Sequence, residues 1–233
     1  MNGPVIDADL AATLRRLKLG QILTTLPERL TLAKTNKLSH AEFLQILLSD
    51  EVTRRDSASA TLRAKAAGLD PTMTLDRWDP TTAVTYDRKL FDELVSLRFV
   101  DAANNVIIMG PVGVGKTFLA TALGHITVRR RHSVHFERTD KLLKRLRISR
   151  LDNSHDTEIR KLLRVEVLIL DGFALAALDP NDTADLYEIV VERHRRASTI
   201  ITSNREPNEG IALMADPSSP NQPSTGSPPP RTN

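Results

Sequence analysis

Val106-Ile107-Ile108-Met109-Gly110-Pro111-Val112-Gly113-Val114-Gly115-Lys116-Thr117-Phe118-Leu119-Ala120-Thr121-Ala122-Leu123 decides how the rest of the chain is read. Four apolar residues that suit a buried strand are followed by a glycine-rich turn and then by a helical apolar pattern. Glycines 110, 113 and 115 let the turn close tightly, so that successive backbone N–H groups converge at the positive end of a helix dipole. Such a cradle suits phosphate oxygens. In this pattern Gly110, Pro111, Val112, Gly113, Val114, Gly115, Lys116, Thr117 and Phe118 form a nucleotide-binding segment, with Lys116 reaching the β- and γ-phosphates and Thr117 ligating Mg²⁺.

A second element has the complementary chemistry. Val167-Leu168-Ile169-Leu170-Asp171 is an apolar strand ending in a carboxylate, which suits Asp171 to the metal side of a Mg²⁺-nucleotide site. Thr202-Ser203-Asn204 follows another strand-like run, and there Asn204 is the candidate for sensing the γ-phosphate or orienting water. A turn-forming Asn fits the same position. ATP and Mg²⁺ are therefore the expected ligands.

Around these motifs, Val134-His135-Phe136, residues 165–170 and 198–202 read as strands, separated by helical stretches near 140–150, 156–164 and 181–196. This alternation predicts an α/β fold with a parallel sheet and helices on both faces. Upstream the period is helical. Ser39 and Glu42 make a capping box that opens a long helix, which Gly68-Leu69-Asp70-Pro71 stops. Leu10, Leu14 and Leu17 form one amphipathic stripe, while Gly20 and Pro27 are expected to break the next apolar stretch into pieces. A small helical N-terminal domain with its linker is thus assigned to residues 1–80 and the P-loop core to 81–215. Trp78, the only tryptophan, lies in the linker, where it either packs onto the core or stacks on a base. Residues 216–233 hold six prolines and four serines without a large apolar side chain, and read as a disordered tail.

Composition narrows the classes further. With no cysteine, disulfides and thiolate metal sites are excluded, and the six histidines show no metal-ligand spacing. The N-terminus has no secretory pattern, and no apolar run approaches the roughly 20 residues of a membrane span, so a cytoplasmic location with no membrane partner is expected. Net charge is only +3, but residues 128–150 carry nine Lys or Arg against two acids. Arg129, Arg130, Arg131, Lys141, Lys144 and Arg145 are the candidate contacts to a polyanion such as double-stranded DNA, the alternative being a solvated helix surface. Arg193, Arg195 and Arg196 are read either as phosphate contacts or as a solvated helix end.

Over roughly residues 10–215 the chain resembles the IstB family of transposition helper ATPases, relatives of the DnaC helicase loader within the AAA+ class. The resemblance rests on Leu26-Pro27-Glu28-Arg29-Leu30, Glu42-Phe43-Leu44, Asp50-Glu51-Val52, the phosphate loop, Leu168-Ile169-Leu170-Asp171 and Thr202-Ser203-Asn204-Arg205. It implies a DNA-binding ATPase that assembles as a homo-oligomer on DNA and directs a partner transposase to its target. In that family a second acid usually follows the Walker B aspartate and polarises the attacking water, whereas here Gly172 follows, so nucleotide binding with weak or absent hydrolysis is expected and no catalytic residue is assigned. Glu166 and Asp179 are the acids that could substitute. The family pattern also continues past the Ser-Asn with a helical segment, where this chain turns Pro/Ser-rich, which reads as a C-terminal truncation. The alternatives to a transposition helper are a DnaC-like helicase loader and an inactive nucleotide-binding remnant.

Overall fold

The computed structural model describes residues 6–78, 87–173 and 178–204. Four strands, β1 Val106–Met109, β2 Val134–Arg138, β3 Val167–Phe173 and β4 Ser198–Ser203, form one fully parallel sheet in the order β1-β4-β3-β2. Parallel strands need crossovers, and here they are helical: α6 Lys116–Arg129 joins β1 to β2, α7 Thr139–Leu151 and α8 His155–Arg164 join β2 to β3, and α9 Pro180–Arg193 lies between β3 and β4. The expected sheet with flanking helices is what forms.

β3 shows why both faces are covered. Its residues 167–170 are all fully buried, and alternate side chains go to opposite layers. Val167 and Ile169 join Ala120, Leu123 and Val128 of α6 on one face; Leu168 and Leu170 join Leu142, Leu143 and Leu146 of α7 with Ile159, Leu162, Leu186 and Ile189 on the other. Burying a side chain of this size contributes about 2 kcal/mol, so this one strand anchors both layers.

The N-terminal region comprises α1 Ala8–Arg16, α2 Ile22–Thr35 and α3 His40–Ala66. The capping box is present in both directions: Ser39 Oγ accepts from the Glu42 N–H, and the Ser39 N–H donates to the Glu42 carboxylate at 2.8 Å. Two expectations fail here. Pro27 lies inside α2 instead of breaking it; it costs one backbone bond in the second turn, while Ile22 and Leu26 before it are buried against Leu47 and Leu30 after it packs on the same cluster. Of the expected α1 stripe, only Leu14 joins that small cluster, and Leu10 and Leu17 remain exposed. α3 serves two cores, because Leu47 packs with α2 while Ala64, Ala67 and Leu69 at its far end enter the cluster under α6. The expected boundary near residue 80 thus falls after a segment already packed into the sheet's core.

Beyond α3, a 3-10 turn Leu75–Arg77 leads to Trp78, and α4 Arg88–Ser96 and α5 Arg98–Asp101 precede β1. Leu97, between α4 and α5, takes a left-handed conformation and is buried. No described helix is long and apolar enough to cross a membrane. The Pro/Ser-rich stretch 216–233 lies outside the described residues.

Arg193 corrects the sequence reading on both counts. It is neither a phosphate contact nor a solvated helix end: at 1% exposure its guanidinium donates to the carbonyls of Leu162, Val165, Glu166 and Ser198 and to Thr199 Oγ1. Burial pushes its pKa down to about 10, so it stays charged at neutral pH. The fork shape of the guanidinium lets one side chain satisfy the end of α8 and the starts of β3 and β4. α9 accordingly stops at Arg193, and Arg195 turns with φ 59, three residues short of the expected end.

Two outcomes follow from this packing. Arg193→Lys will lower unfolding stability in urea by about 3 kcal/mol, because an ammonium cannot reach carbonyls on three elements. The second concerns Glu137, where burial alone would raise the carboxyl pKa, but hydrogen bonds from His135 and Arg145 outweigh it and hold the group at about 2. Since this lies below the unfolded value, its stabilisation is complete above about pH 5 and is lost as pH falls towards 2. Urea titrations across that window will show a flatter decline for Glu137→Gln than for the wild type, by up to about 3 kcal/mol.

Candidate functional site

The glycine-rich loop carries the chain from the carboxyl end of β1 to the first turn of α6, outside the carboxyl ends of the parallel strands, where open α/β sheets bind ligands. Gly115 caps α6 with φ 87, and a Cβ there would meet the Trp78 ring at 3.2 Å, so both the backbone and the space require glycine. Like α2, α6 starts with no side-chain cap and no acid in its first turn, but its start is the one that the glycine-rich loop leads into. Its leading N–H groups and dipole are left to an anion.

Lys116 bends back over the loop. Its ammonium donates to the carbonyls of Gly110 at 2.8 Å and Pro111 at 2.6 Å. Burial pushes its pKa down, partly offset by the charge of Asp171. Neutral carbonyls are modest partners for a cation, and a triphosphate would supply stronger ones. Pro111 and Val112 are exposed on the loop, Val114 is half-buried, and Phe118 sets its ring 5.5 Å from that of Trp78.

Three elements meet at Asp171. Its Oδ1 accepts from Thr117 Oγ1 on α6 at 2.7 Å and from Thr202 Oγ1 on β4 at 2.7 Å, while Thr202 Oγ1 accepts from the Gly172 N–H at 2.9 Å. A hydroxyl and a carboxylate held together beside a phosphate cradle are the protein ligands that a nucleotide-bound Mg²⁺ uses. Among the described residues no group of three or more His, Cys, Asp or Glu is placed to hold a metal ion by itself.

Sequence reasoning chose Asn204, which lies exposed one residue beyond β4. Thr202, 1% exposed, is the residue of that trio that reaches Asp171. The period of two holds the missed signal: Asp171 shares a strand face with Ile169, and Thr202 with Ile200, both of which pack towards α6, where Thr117 starts. Asp171 also does not end its strand. β3 continues to Phe173 through an irregularity in which three steps on β3 match two on β4, and Gly172 takes φ 72 there. The acids considered as substitutes are both remote or engaged. Glu166 is at the opposite end of β3, bonded to His132 and Ser133, and Asp179 caps α9 and pairs with Arg147.

The basic run does not form one face. Arg129, Arg130 and Arg131 end α6 on one side of the sheet, whereas Lys141, Lys144 and Arg145 lie on α7, which packs on the other. Arg130 donates to the Ser96 carbonyl, and Arg131 pairs with Asp56. Arg145 is held between Glu137 and Glu158, Arg147 pairs with Asp182, and Arg150 with the buried Asp185, so much of the positive charge is neutralised in ion pairs that tie α7 to β2, α8 and α9. Lys141 and Lys144 stay exposed with no ion-pair partner among the described residues.

Comparison with known proteins adds a lineage to this geometry. The model of the IstB-like ATP binding protein family matches residues 12–219. An ATP-binding protein in an insertion sequence of Mycobacterium tuberculosis is 38% identical over 91% of this chain and 85% of its own length. An insertion-sequence ATP-binding protein of Pseudomonas aeruginosa is 34% identical over 84% of this chain and 74% of its own. Among solved structures, the DnaC helicase loader superposes with a TM-score of 0.51 at 24% identity over 62% of this chain and 84% of that one. Domain III of the DnaA replication initiator from Thermotoga maritima gives 0.53 at 21% identity over 63% and 65%. These two likenesses speak to the fold.

Gly172→Glu, the substitution that restores an acid after Asp171, will cost about 1–2 kcal/mol in a urea titration because it forces a side chain into left-handed backbone. Thr202→Val will cost about 1–2 kcal/mol as well, leaving the Gly172 N–H without its acceptor. If either variant is as stable as the wild type, the tight geometry around Asp171 is not as described.

Proposed function

The chain belongs to the family of IstB-like ATP-binding proteins, and from that membership and the site's geometry we propose that it is an ATP-binding, DNA-binding helper of insertion-sequence transposition whose hydrolytic step is weak. The observation that carries this reading is the Thr117–Asp171–Thr202 contact beside the uncapped start of α6. The loop from Gly110 to Gly115 and the first turn of α6 would hold the phosphates by backbone N–H groups, and Lys116 would exchange its carbonyl partners for phosphate oxygens. Thr117 and Asp171 would hold Mg²⁺. The bound nucleotide supplies a charged group whose presence or absence the loop can register. Gly172 brings no acid to the place beside Asp171 and its backbone disfavours one, which supports a protein switched by occupancy more than by turnover. Asn204, exposed past β4, keeps a place in this reading only as a residue that moves towards the phosphates when nucleotide binds.

For DNA, Lys141 and Lys144 are the primary contacts, with Arg129, Arg130 and Arg131 on the far side of the sheet as a separate patch and Arg145 acting through its ion pairs to hold α7 in place. A transposase is the partner that the insertion-sequence relatives suggest, and a cytoplasmic homo-oligomer on double-stranded DNA is the working form. The relatives' insertion-sequence origin favours this over a helicase loader, since the likeness to loaders lies in fold alone.

Calorimetry with ATP and Mg²⁺ should give saturable binding that Lys116→Ala weakens at least about 100-fold, with little turnover whether or not duplex DNA is present. DNA-stimulated turnover at an ordinary ATPase rate would overturn the weak-hydrolysis reading. Duplex binding should weaken steeply with salt, and Lys141→Ala with Lys144→Ala should reduce the slope of log K against log salt by roughly 2. An unchanged slope would remove α7 from the DNA interface.

A further inference from the structure

The carboxyl end of β2 carries a cation that the site described above does not use. In the parallel pairing of β2 with β3, Arg138 is the register partner of Asp171, one strand spacing of about 4.8 Å away. Its neighbours on β2 fix the face it takes: Phe136 packs on the α6 cluster, while Glu137 turns to the other layer and pairs with Arg145 of α7. The period of two therefore puts Arg138 on the α6 face, with Asp171 and its Thr117 contact. The guanidinium donates from Nε and Nη2 to the two carboxylate oxygens of Asp140, at 3.0 and 3.1 Å. Both side chains are about half exposed, at 52% and 58%, and an ion pair so placed contributes little to stability. Local structure gives no reason for an arginine here. Arg138 is the N-cap of α7, its side chain makes no capping bond, and a cation at that position opposes the helix dipole.

We infer that Arg138 is a ligand contact held in reserve by Asp140: when a Mg²⁺-triphosphate occupies the loop, the guanidinium leaves Asp140 for oxygens of the terminal phosphate, and the site thereby distinguishes ATP from ADP. The inference rests on the phosphate-loop reading above and names the side chain that would register the third phosphate. Mg²⁺ bridges the β- and γ-phosphates, so the side of the site held by Thr117 and Asp171 is the side of the terminal phosphate. Asp171 itself brings negative charge there, and Lys116 is the only cation between residues 110 and 117. A triphosphate stays anionic even with Mg²⁺ bound, and Arg138, in register with Asp171, is placed to balance it. The guanidinium already holds a carboxylate with two parallel bonds, and phosphate oxygens suit the same fork. The exchange strands no charge. Asp140 is exposed, so water replaces the guanidinium, and it lies in the first turn of α7, where a carboxylate complements the helix dipole. ADP lacks the group for which Arg138 would leave.

The experiment is calorimetry of the full chain with Mg²⁺ and either ATP or ADP, for the wild type, Arg138→Gln, Asp140→Asn and Lys116→Ala. Arg138→Gln should weaken ATP about 10- to 100-fold, the worth of one charge-assisted contact, and ADP by less than about threefold. Asp140→Asn, which releases Arg138, should tighten ATP about threefold or more and leave ADP unchanged. Lys116→Ala should weaken both nucleotides. Opposite signs at Arg138 and Asp140 separate a ligand contact from a structural ion pair, which is broken alike from either side. Because that pair is exposed, both variants should keep the wild-type urea midpoint, so the binding losses are read on folded chains. An equal loss of ATP and ADP in Arg138→Gln, no loss of either, or ATP binding that is unchanged or weaker in Asp140→Asn would each overturn the role of Arg138 while leaving the phosphate loop intact. A wild-type chain that binds neither nucleotide would overturn the phosphate-loop reading, and this inference with it.

Discussion

One carboxylate oxygen organises the site. Asp171 Oδ1 takes hydrogen bonds from Thr117 at the start of α6 and from Thr202 near the end of β4, so a helix and two strands are joined at the place where β1 delivers the phosphate loop. Both donors leave α6's leading N–H groups free, and both lie on the face of the sheet that α6 covers. In an interior of low dielectric, hydroxyl-to-carboxylate bonds of this kind are strong and short-ranged, and they fix the helix start relative to β3 more firmly than apolar packing, which tolerates sliding.

The opposite end of the sheet is held by a different device. Arg193, buried and still charged, gathers carbonyls from the end of α8 and the starts of β3 and β4. Elsewhere in the same layer the helices are tied by ion pairs: Arg145 with Glu137 and Glu158, Arg147 with Asp182, Arg150 with Asp185. Removing one partner of such a buried pair strands the other, which makes the layer specific in its docking even where its net contribution to stability is small. The cost is that arginines used in this way are withdrawn from the surface, and the charge available to a polyanion is smaller than the composition of residues 128–150 implies.

Much was legible in the sequence because it depends on local pattern. The capping box at Ser39, the four-residue apolar strand before the loop, and the continuous run 167–170 each follow from spacing, and the parallel sheet follows from their alternation. What misled was also local. Pro27 reads as a breaker, yet one lost backbone bond is outweighed by the burial of Ile22 and Leu26 in the turn before it. A dense basic run reads as a surface, yet salt-bridge partners 8 to 35 residues away absorb it. The polar end of β4 points to Asn204, just beyond the strand, whereas the period of two puts Thr202 on the face of Ile200, towards α6 and Asp171.

The sequence by itself determined the class of protein: a glycine-rich loop between a strand and a helix, followed by an apolar strand carrying Asp171, is a local arrangement whose chemistry follows from spacing alone. Only the tertiary structure decided which groups meet. It placed Thr202 on Asp171, turned Gly172 into a left-handed position within β3, buried Arg193, divided the basic residues between two faces and set Trp78 against Gly115. The physical reason is the same in each case: hydrogen bonds, ion pairs and ring contacts act over a few ångströms, and residues 30 to 50 apart in sequence come that close only after the sheet has formed.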